Sequence, residues 1–208
     1  MTLFHYQKTK HKRKLSPGPF IRYQTYKKYL RIEFDATCVY CRMPDSLSEV
    51  KSYAVEHYFP KDDFNHLENE YSNLFYSCCD CNGRKGTYWP DDVAISQCRF
   101  IPNPCDYVMH DHLRSQPDGT VKPHSFAGHW AIELLDLNDP NRIKKRFAFL
   151  TLKKNNDNSI AKLSNKLTEL KKIEKNVQDA ELSSIRIEIA EFENKLAELE
   201  EVNKIFGA

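Results

Sequence analysis

The chain has 208 residues, of which 40% are hydrophobic and 12% aromatic, a composition that is ordinary for a globular protein and excludes wholesale disorder. No apolar run reaches about 18 residues, so the sequence contains no candidate transmembrane helix, and nothing near its start resembles a secretion signal. Seven cysteines, an odd number, fit a reducing compartment and metal binding better than a disulfide framework. We therefore expect a cytoplasmic protein that does not associate with membranes.

Charge is distributed unevenly along the chain, although the formal net charge is only +2. The first 32 residues contain nine Lys or Arg and no acid, whereas residues 179–201 hold eight acids and two basic residues. Lys12, Arg13 and Lys14, with aromatic residues nearby, are candidates for contacting a nucleic-acid backbone. A solvated leader followed by one face of a surface helix explains the same pattern.

Proline and glycine separate the first elements. The run 15–20, with two prolines and a glycine, divides a basic leader (1–20) from residues 21–34. These read as a helix with Tyr23, Tyr26, Leu30 and Phe34 near one face. Further on, Asp118 and Gly119 predict a hairpin turn. Asp139 followed by Pro140 predicts a helix N-cap and a first helical turn.

The segment 140–208 is expected to be entirely helical, because after Pro140 neither proline nor glycine appears until Gly207. The Asn- and Asp-rich run 154–159 is the predicted turn between two helices. Beyond this run, apolar residues recur at spacings of three and four, interrupted by Asn203, which is typical of a coiled-coil seam or a helical hairpin. Such a stripe serves either self-packing or the docking of a partner or a second copy.

Four of the cysteines form two C-x2-C pairs about forty residues apart. This spacing predicts one tetrahedral zinc site, because each tight turn presents two thiolates. The predicted ligands are Cys38, Cys41, Cys78 and Cys81. Cys79 is a bystander within the second pair, and Cys98 and Cys105 are predicted to be packing residues.

Polar residues at fixed positions accompany these cysteines. Between the pairs lie Glu56-His57-x-x-Pro60 and Asn73-Leu74, and the second pair runs directly into Asn82-x-x-Lys85. The complete order from Cys38 to Lys85 resembles the HNH nuclease family, whose fold is a zinc-stapled β-hairpin followed by a helix, known as ββα-metal.

The resemblance implies a role for each residue in phosphodiester hydrolysis, which needs a general base and a divalent cation. His57 would be the base, since the pKa of histidine lies near neutrality. Glu56 and Asn82 would hold Mg²⁺ or Mn²⁺ through hard oxygen ligands. Asn73 would brace the loop or orient His57, and Arg84 and Lys85 would contact phosphates.

We therefore expect an α+β fold with an HNH nuclease domain over 21–139 and a helical arm over 140–208. Residues 99–113 and 131–146 also resemble the region that follows the HNH motif in nuclease subunits of Septu-type and retron-linked anti-phage systems. That likeness implies a DNA-cleaving defence effector that works with a separate ATPase, docked through the helical arm, or that self-associates through it. The alternatives are a zinc-stabilised nucleic-acid or protein-binding adaptor without catalysis, and an RNA-directed HNH nuclease.

Overall fold

A computed structural model describes residues 3–48 and 50–206, so the outermost residues of the predicted segments 1–20 and 140–208 lie outside the described part. The chain divides into two compact units, residues 2–147 and 148–208. This boundary falls inside a long helix, eight residues beyond the predicted start of the arm. No helix among the described residues is both long and apolar enough to cross a membrane.

The basic N-terminal segment is part of the core of the first unit. Leu3, Phe4 and Tyr6 are buried, and the hydroxyl of Tyr6 donates to the carbonyl of Tyr40. The buried carboxylate of Glu33 accepts the backbone N–H groups of Lys14 and Leu15. Residues 3–15 are therefore held by specific contacts, and their exposed residues include four lysines, at positions 8, 10, 12 and 14.

The helix predicted over 21–34 is shorter than expected. A 3-10 turn (Tyr23–Tyr26) leads into helix α1 (Lys27–Glu33). Tyr26 and Leu30 are buried at 2% and 0% exposure, so the apolar face identified in the sequence does face the core.

Strands β1 (Tyr53–His57) and β2 (Leu74–Cys78) form an antiparallel pair, with Tyr53 opposite Cys78 and His57 opposite Leu74. Helix α2 (Cys79–Lys85) follows β2 without a linker. Its N-cap is Cys78, whose sulfur accepts the backbone N–H of Cys81 at 3.4 Å. This continuity places one cysteine pair at the junction of a strand and a helix.

The first unit also contains helix α3 (Asp92–Ser96), strands β3 (Leu113–Ser115) and β4 (Val121–Pro123), and helix α4 (Phe126–Leu134). Strands β3 and β4 pair antiparallel across the predicted hairpin turn, which is confirmed. Gly119 in this turn has φ +84°, and a Cβ there would lie 2.5 Å from the carbonyl oxygen of Ile143, so no larger residue fits.

The two C-terminal helices are α5 (Pro140–Glu174) and α6 (Asp179–Ile205). The predicted start of α5 is confirmed: the carboxylate of Asp139 accepts the N–H groups of Asn141 and Arg142. The turn predicted at 154–159 is wrong, because α5 continues through this run and the chain reverses at 175–178.

The polar run inside α5 finds its partners on α6. The amide of Asn156 donates to the carbonyl of Leu199 at 2.9 Å and to Oδ1 of Asn203 at 3.0 Å, and Asn203 in turn donates to Asp157. These bonds satisfy the amide groups across the helical hairpin, so they do not compete with the backbone of α5. Asn203, which interrupts the apolar repeat, fixes the register of the pair.

Candidate active site

Four thiols meet where β2 runs into α2. The sulfur atoms of Cys38, Cys41, Cys78 and Cys81 all lie within 4.8 Å of one another, and those of Cys41 and Cys78 are 3.8 Å apart. A tetrahedral zinc ion with bonds of about 2.3 Å places its ligand sulfurs about 3.8 Å apart. The cluster is compatible with zinc, whereas the exposed Cys79 lies outside it.

Hydrogen bonding within the cluster favours the thiolate form of Cys38, whereas it raises the pKa of Cys78 and of Cys81. Burial disfavours the charged form of Cys38, but hydrogen bonds from the other three thiols outweigh it and hold the pKa of Cys38 well below its ordinary value. The guanidinium of Arg142 lies 3.7 Å from the sulfur of Cys81 and also donates to the carbonyl of Leu135 and to Asp80. A cation beside the cluster would offset the negative charge of thiolates that bind zinc.

His57 is the last residue of β1 and is half-buried. Its Nε2 lies 2.9 Å from the carbonyl oxygen of Glu68, and its ring meets the ring of Tyr23 edge to face at 4.6 Å between centroids. Burial lowers the pKa of His57, and the nearby cations Lys61 and Lys85 lower it further. The ring is held on two sides and favours its neutral form near pH 7.

Asn73 is buried and braces the loop between the two strands. Its Oδ1 accepts the N–H of Phe59 at 2.8 Å, and its Nδ2 donates to the carbonyls of Phe59 and Leu67. Leu67 is the residue directly before Glu68, whose backbone carbonyl contacts the ring of His57. Asn73 therefore acts on the histidine indirectly, by fixing the backbone that orients it.

Glu56 and Lys85 form a buried ion pair. The ammonium nitrogen of Lys85 lies 2.9 Å from Oε1 of Glu56, both side chains are 2% exposed, and the hydroxyl of Tyr40 donates to the same oxygen at 3.3 Å. Burial raises the pKa of Glu56 to about 7, although Lys85 and Tyr40 favour its charged form. Lys85 also donates to the carbonyl of His57 at 2.8 Å.

The buried pair does not match the roles that were expected of its two members. Lys85, expected to contact phosphate, is enclosed by protein. Glu56, expected to bind a divalent ion with Asn82, has an oxygen occupied by Lys85 and Tyr40. Successive side chains of a strand point to opposite faces, which separates the carboxylate of Glu56 from the ring of His57.

Asn82 lies on α2, one turn before Lys85. Its Nδ2 donates to the carbonyl of Val55 at 3.5 Å, which leaves Oδ1 as an acceptor next to the end of β1. Arg84 is exposed and pairs with Asp80 on its own helix and with Asp136 at 2.8 Å. Asn82 thus offers one hard oxygen ligand, and Arg84 reaches the surface beside two acids.

The three N-terminal cations are placed differently from one another. Lys12 and Lys14 are exposed, as a phosphate contact requires. The guanidinium of Arg13 instead lies over the ring of Phe75 at 4.8 Å and donates to the carbonyl of Leu74 at 2.7 Å. The expectation that Arg13 meets phosphate is therefore not met, because aromatic rings and backbone carbonyls already engage its guanidinium.

Sequence reasoning missed Tyr40, Glu68 and Arg142 as parts of this centre, and it recognised Tyr23 only as a member of a helical face. Glu68 contributes a backbone carbonyl, which no side-chain pattern reveals. Tyr40 lies within the first cysteine pair, between Cys38 and Cys41, and its hydroxyl was the one signal that could have been noticed.

Comparison with known proteins agrees with this arrangement. Residues 38–87 match the family model described as HNH endonuclease, a segment that contains both cysteine pairs and every residue of β1, β2 and α2. Over this segment the chain is similar to HNH endonucleases. No solved structure matches the chain.

Similarity to a curated protein extends beyond the HNH segment. A Bacillus thuringiensis protein named Septu protein PtuB is 33% identical to the chain over 107 residues. The aligned region is 51% of this chain and 38% of the relative. The chain therefore spans well under half of the length of that relative.

Proposed function

We propose that the protein is a metal-dependent HNH endonuclease that hydrolyses DNA phosphodiester bonds. The observation that carries the proposal is the hydrogen bond between Nε2 of His57 and the carbonyl of Glu68. A carbonyl oxygen can only accept, so Nε2 carries the proton and the neutral ring has its lone pair on Nδ1. Together with the family match, this arrangement supports His57 as a general base.

In the proposed reaction His57 accepts a proton from water through Nδ1. The lowered pKa of His57 keeps the ring unprotonated at neutral pH, and Tyr23 and Glu68 hold its orientation. Asn73 keeps the carbonyl of Glu68 in place through its bond to Leu67. Arg84, Lys12 and Lys14 supply positive charge for neighbouring phosphates.

Two metal ions enter the proposal in different ways. Zinc fits the four-cysteine cluster and would staple the β1–β2–α2 unit as a ββα-metal core. Mg²⁺ or Mn²⁺, when bound, would offset charge on the phosphoryl oxygens and the leaving 3′-oxygen. Asn82 offers an oxygen for such an ion, but Glu56, paired with Lys85, does not fit as a direct ligand in this arrangement.

We further propose that the chain is an effector subunit of an anti-phage defence system, a proposal that rests on the name of its relative. Residues 140–208 would be the arm that docks on an ATPase subunit or on a second copy. Large apolar side chains left exposed on the helical hairpin support this role: Leu152, Ile173, Ile187, Val202 and Ile205.

Plasmid nicking tests the catalytic proposal. The purified chain should relax supercoiled DNA in Mg²⁺ or Mn²⁺, EDTA should stop the reaction at once, and excess Mg²⁺ should restore it. His57→Ala should slow nicking by at least about 100-fold with the fold intact. His129→Ala, which removes a largely exposed histidine on α4, is the matched control. Full activity of His57→Ala would contradict the proposal.

The buried Glu56–Lys85 pair favours one competing function, a zinc-stabilised nucleic-acid-binding adaptor, because it withdraws a carboxylate from metal binding. DNA binding by the wild-type chain without nicking in either metal would favour the adaptor. A labelled RNA of the same sequence, tested in parallel, distinguishes a DNA-directed from an RNA-directed nuclease.

A further inference from the structure

A cleft of about 420 Å³ lies beside His57, and four of its six lining residues precede the segment that matches the HNH family. This volume is within the usual range for small-ligand sites. Its lining comes from two stretches of the first unit: Ile21, Arg22, Tyr23 and Gln24 from the turn before α1, and Glu68 and Asn69 from the loop between β1 and β2.

Both walls of the cleft contact the same histidine. Tyr23 packs its ring against the ring of His57 at 4.6 Å, and the carbonyl of Glu68 accepts from Nε2 of His57 at 2.9 Å. A molecule in the cleft would therefore be separated from the proposed general base only by Tyr23 and Glu68.

The rim of the cleft carries an apolar side chain with no packing role. Ile21 is 94% exposed, more than any other large apolar residue that the structure describes. Arg22 is also exposed, and the ammonium nitrogen of Lys61 lies 5.5 Å from the ring centroid of Tyr23. An exposed apolar group flanked by cations matches the chemistry of a nucleotide, which combines an apolar base face with a negative phosphate.

Two residues that line the cleft carry hydrogen-bond acceptors. Glu68 has a carboxylate, and the Oδ1 of Asn69, which is covered by protein, has no hydrogen-bond partner among the described residues and would reach a ligand by rotation of the Asn69 side chain. A carboxylate repels phosphate but accepts from the exocyclic amino group of a base such as cytosine. The amino group of a base would supply the donor that Asn69 lacks. Only an unstacked base exposes the face that Ile21 would pack against, because the base faces within a duplex are covered by their neighbours.

We propose that this cleft binds an unpaired, amino-bearing nucleotide adjacent to the phosphate that His57 attacks, with Ile21 packed against the face of the base. The inference rests on the proposed nuclease function and defines its substrate as DNA with an unstacked nucleotide at the cleavage point. The cations Arg22 and Lys61 hold the flanking phosphates, and Glu68 and Asn69 accept from the amino group.

Fluorescence anisotropy with labelled oligo(dC), oligo(dT) and a duplex of equal length tests the cleft. Binding is measured on the full chain without added Mg²⁺ or Mn²⁺ and without a chelator, so that neither cleavage nor zinc loss interferes. Ile21→Ser should raise the Kd for oligo(dC) about tenfold and change duplex binding far less. The matched control is Ile32→Ser, which alters an exposed isoleucine on α1 that does not line the cleft and should leave both affinities unchanged.

Equal oligo(dC) affinities for Ile21→Ser and Ile32→Ser would overturn the proposal, as would an equal loss on duplex and single strand. Wild-type chain should bind oligo(dC) more tightly than oligo(dT), and Asn69→Leu should reduce that preference; equal affinities for the two oligonucleotides would overturn the base recognition. Plasmid nicking separates the two hypotheses. Ile21-dependent binding without any nicking refutes the nuclease, and His57-dependent nicking with no Ile21 effect on binding refutes the cleft.

Discussion

The ammonium nitrogen of Lys85 lies 2.9 Å from Oε1 of Glu56, and both side chains are buried between β1 and α2. Removing one partner of such a pair leaves an uncompensated charge in the interior. We expect Lys85→Met to lower the free energy of unfolding by about 3–5 kcal/mol, measured by urea denaturation at pH 8. The double variant Glu56→Gln/Lys85→Met should recover much of this loss, and a loss in Lys85→Met below about 1 kcal/mol would contradict the buried pair.

The same pair predicts a pH dependence. Burial raises the pKa of Glu56 from its ordinary 4.5 to about 7, so the folded state binds this proton more tightly than the unfolded chain. The stability that Glu56 contributes is therefore full below about pH 4.5 and is lost as the pH rises through 7. Without Lys85 the pKa rises further, so the stability difference between wild type and Lys85→Met should grow from pH 5 to pH 8. A difference that does not change with pH would argue against a charged Glu56.

Cleavage should persist into mildly acidic solution. The pKa of His57 is lowered, chiefly by burial, and a general base works in its unprotonated form. The acid limb of the kcat/KM profile should therefore have its midpoint below the ordinary histidine pKa of about 6.5. Tyr23→Ala opens one side of the ring to water and should move this midpoint upward; a midpoint that stays in place would show that Tyr23 does not shield His57.

Zinc removal should unfold the first unit. Cys78 is both a member of the thiol cluster and the N-cap of α2, so Cys78→Ser should release zinc and lower the melting temperature sharply. Cys79→Ser, one residue away and exposed, is the control and should keep its zinc. Zinc content by atomic absorption and thermal melting measure both effects. Equal zinc content in the two variants would refute the four-cysteine site.

Asn73 should affect cleavage through the position of His57. Asn73→Ala removes three hydrogen bonds to the loop and should lower kcat more than it raises KM, with about 1–3 kcal/mol lost in stability. Asn73→Asp keeps an acceptor for the N–H of Phe59 but loses the donor to Leu67, so partial activity is expected. Hydrogen exchange at the amides of the loop should rise in Asn73→Ala, and unchanged exchange would contradict a bracing role.

Local patterns in the sequence predicted several features correctly. The two cysteine pairs and the Asp118–Gly119 turn depend on spacings of a few residues, and so does the start of α5 at Pro140. Residues close together in the chain decide whether such a feature forms, because a tight turn or a helix N-cap involves only adjacent backbone groups.

Tertiary structure decided which charged and polar groups face solvent. Arg13 and Lys85 lie in basic stretches, yet packing against aromatic rings and against Glu56 removes them from any phosphate. The Asn-rich run of α5 does not break the helix, because α6 supplies partners for its amides. Tyr23 and the carbonyl of Glu68 reach His57 only after folding. The sequence alone determines which groups are present and their local turns, whereas their burial and long-range partners depend on the packing of distant segments.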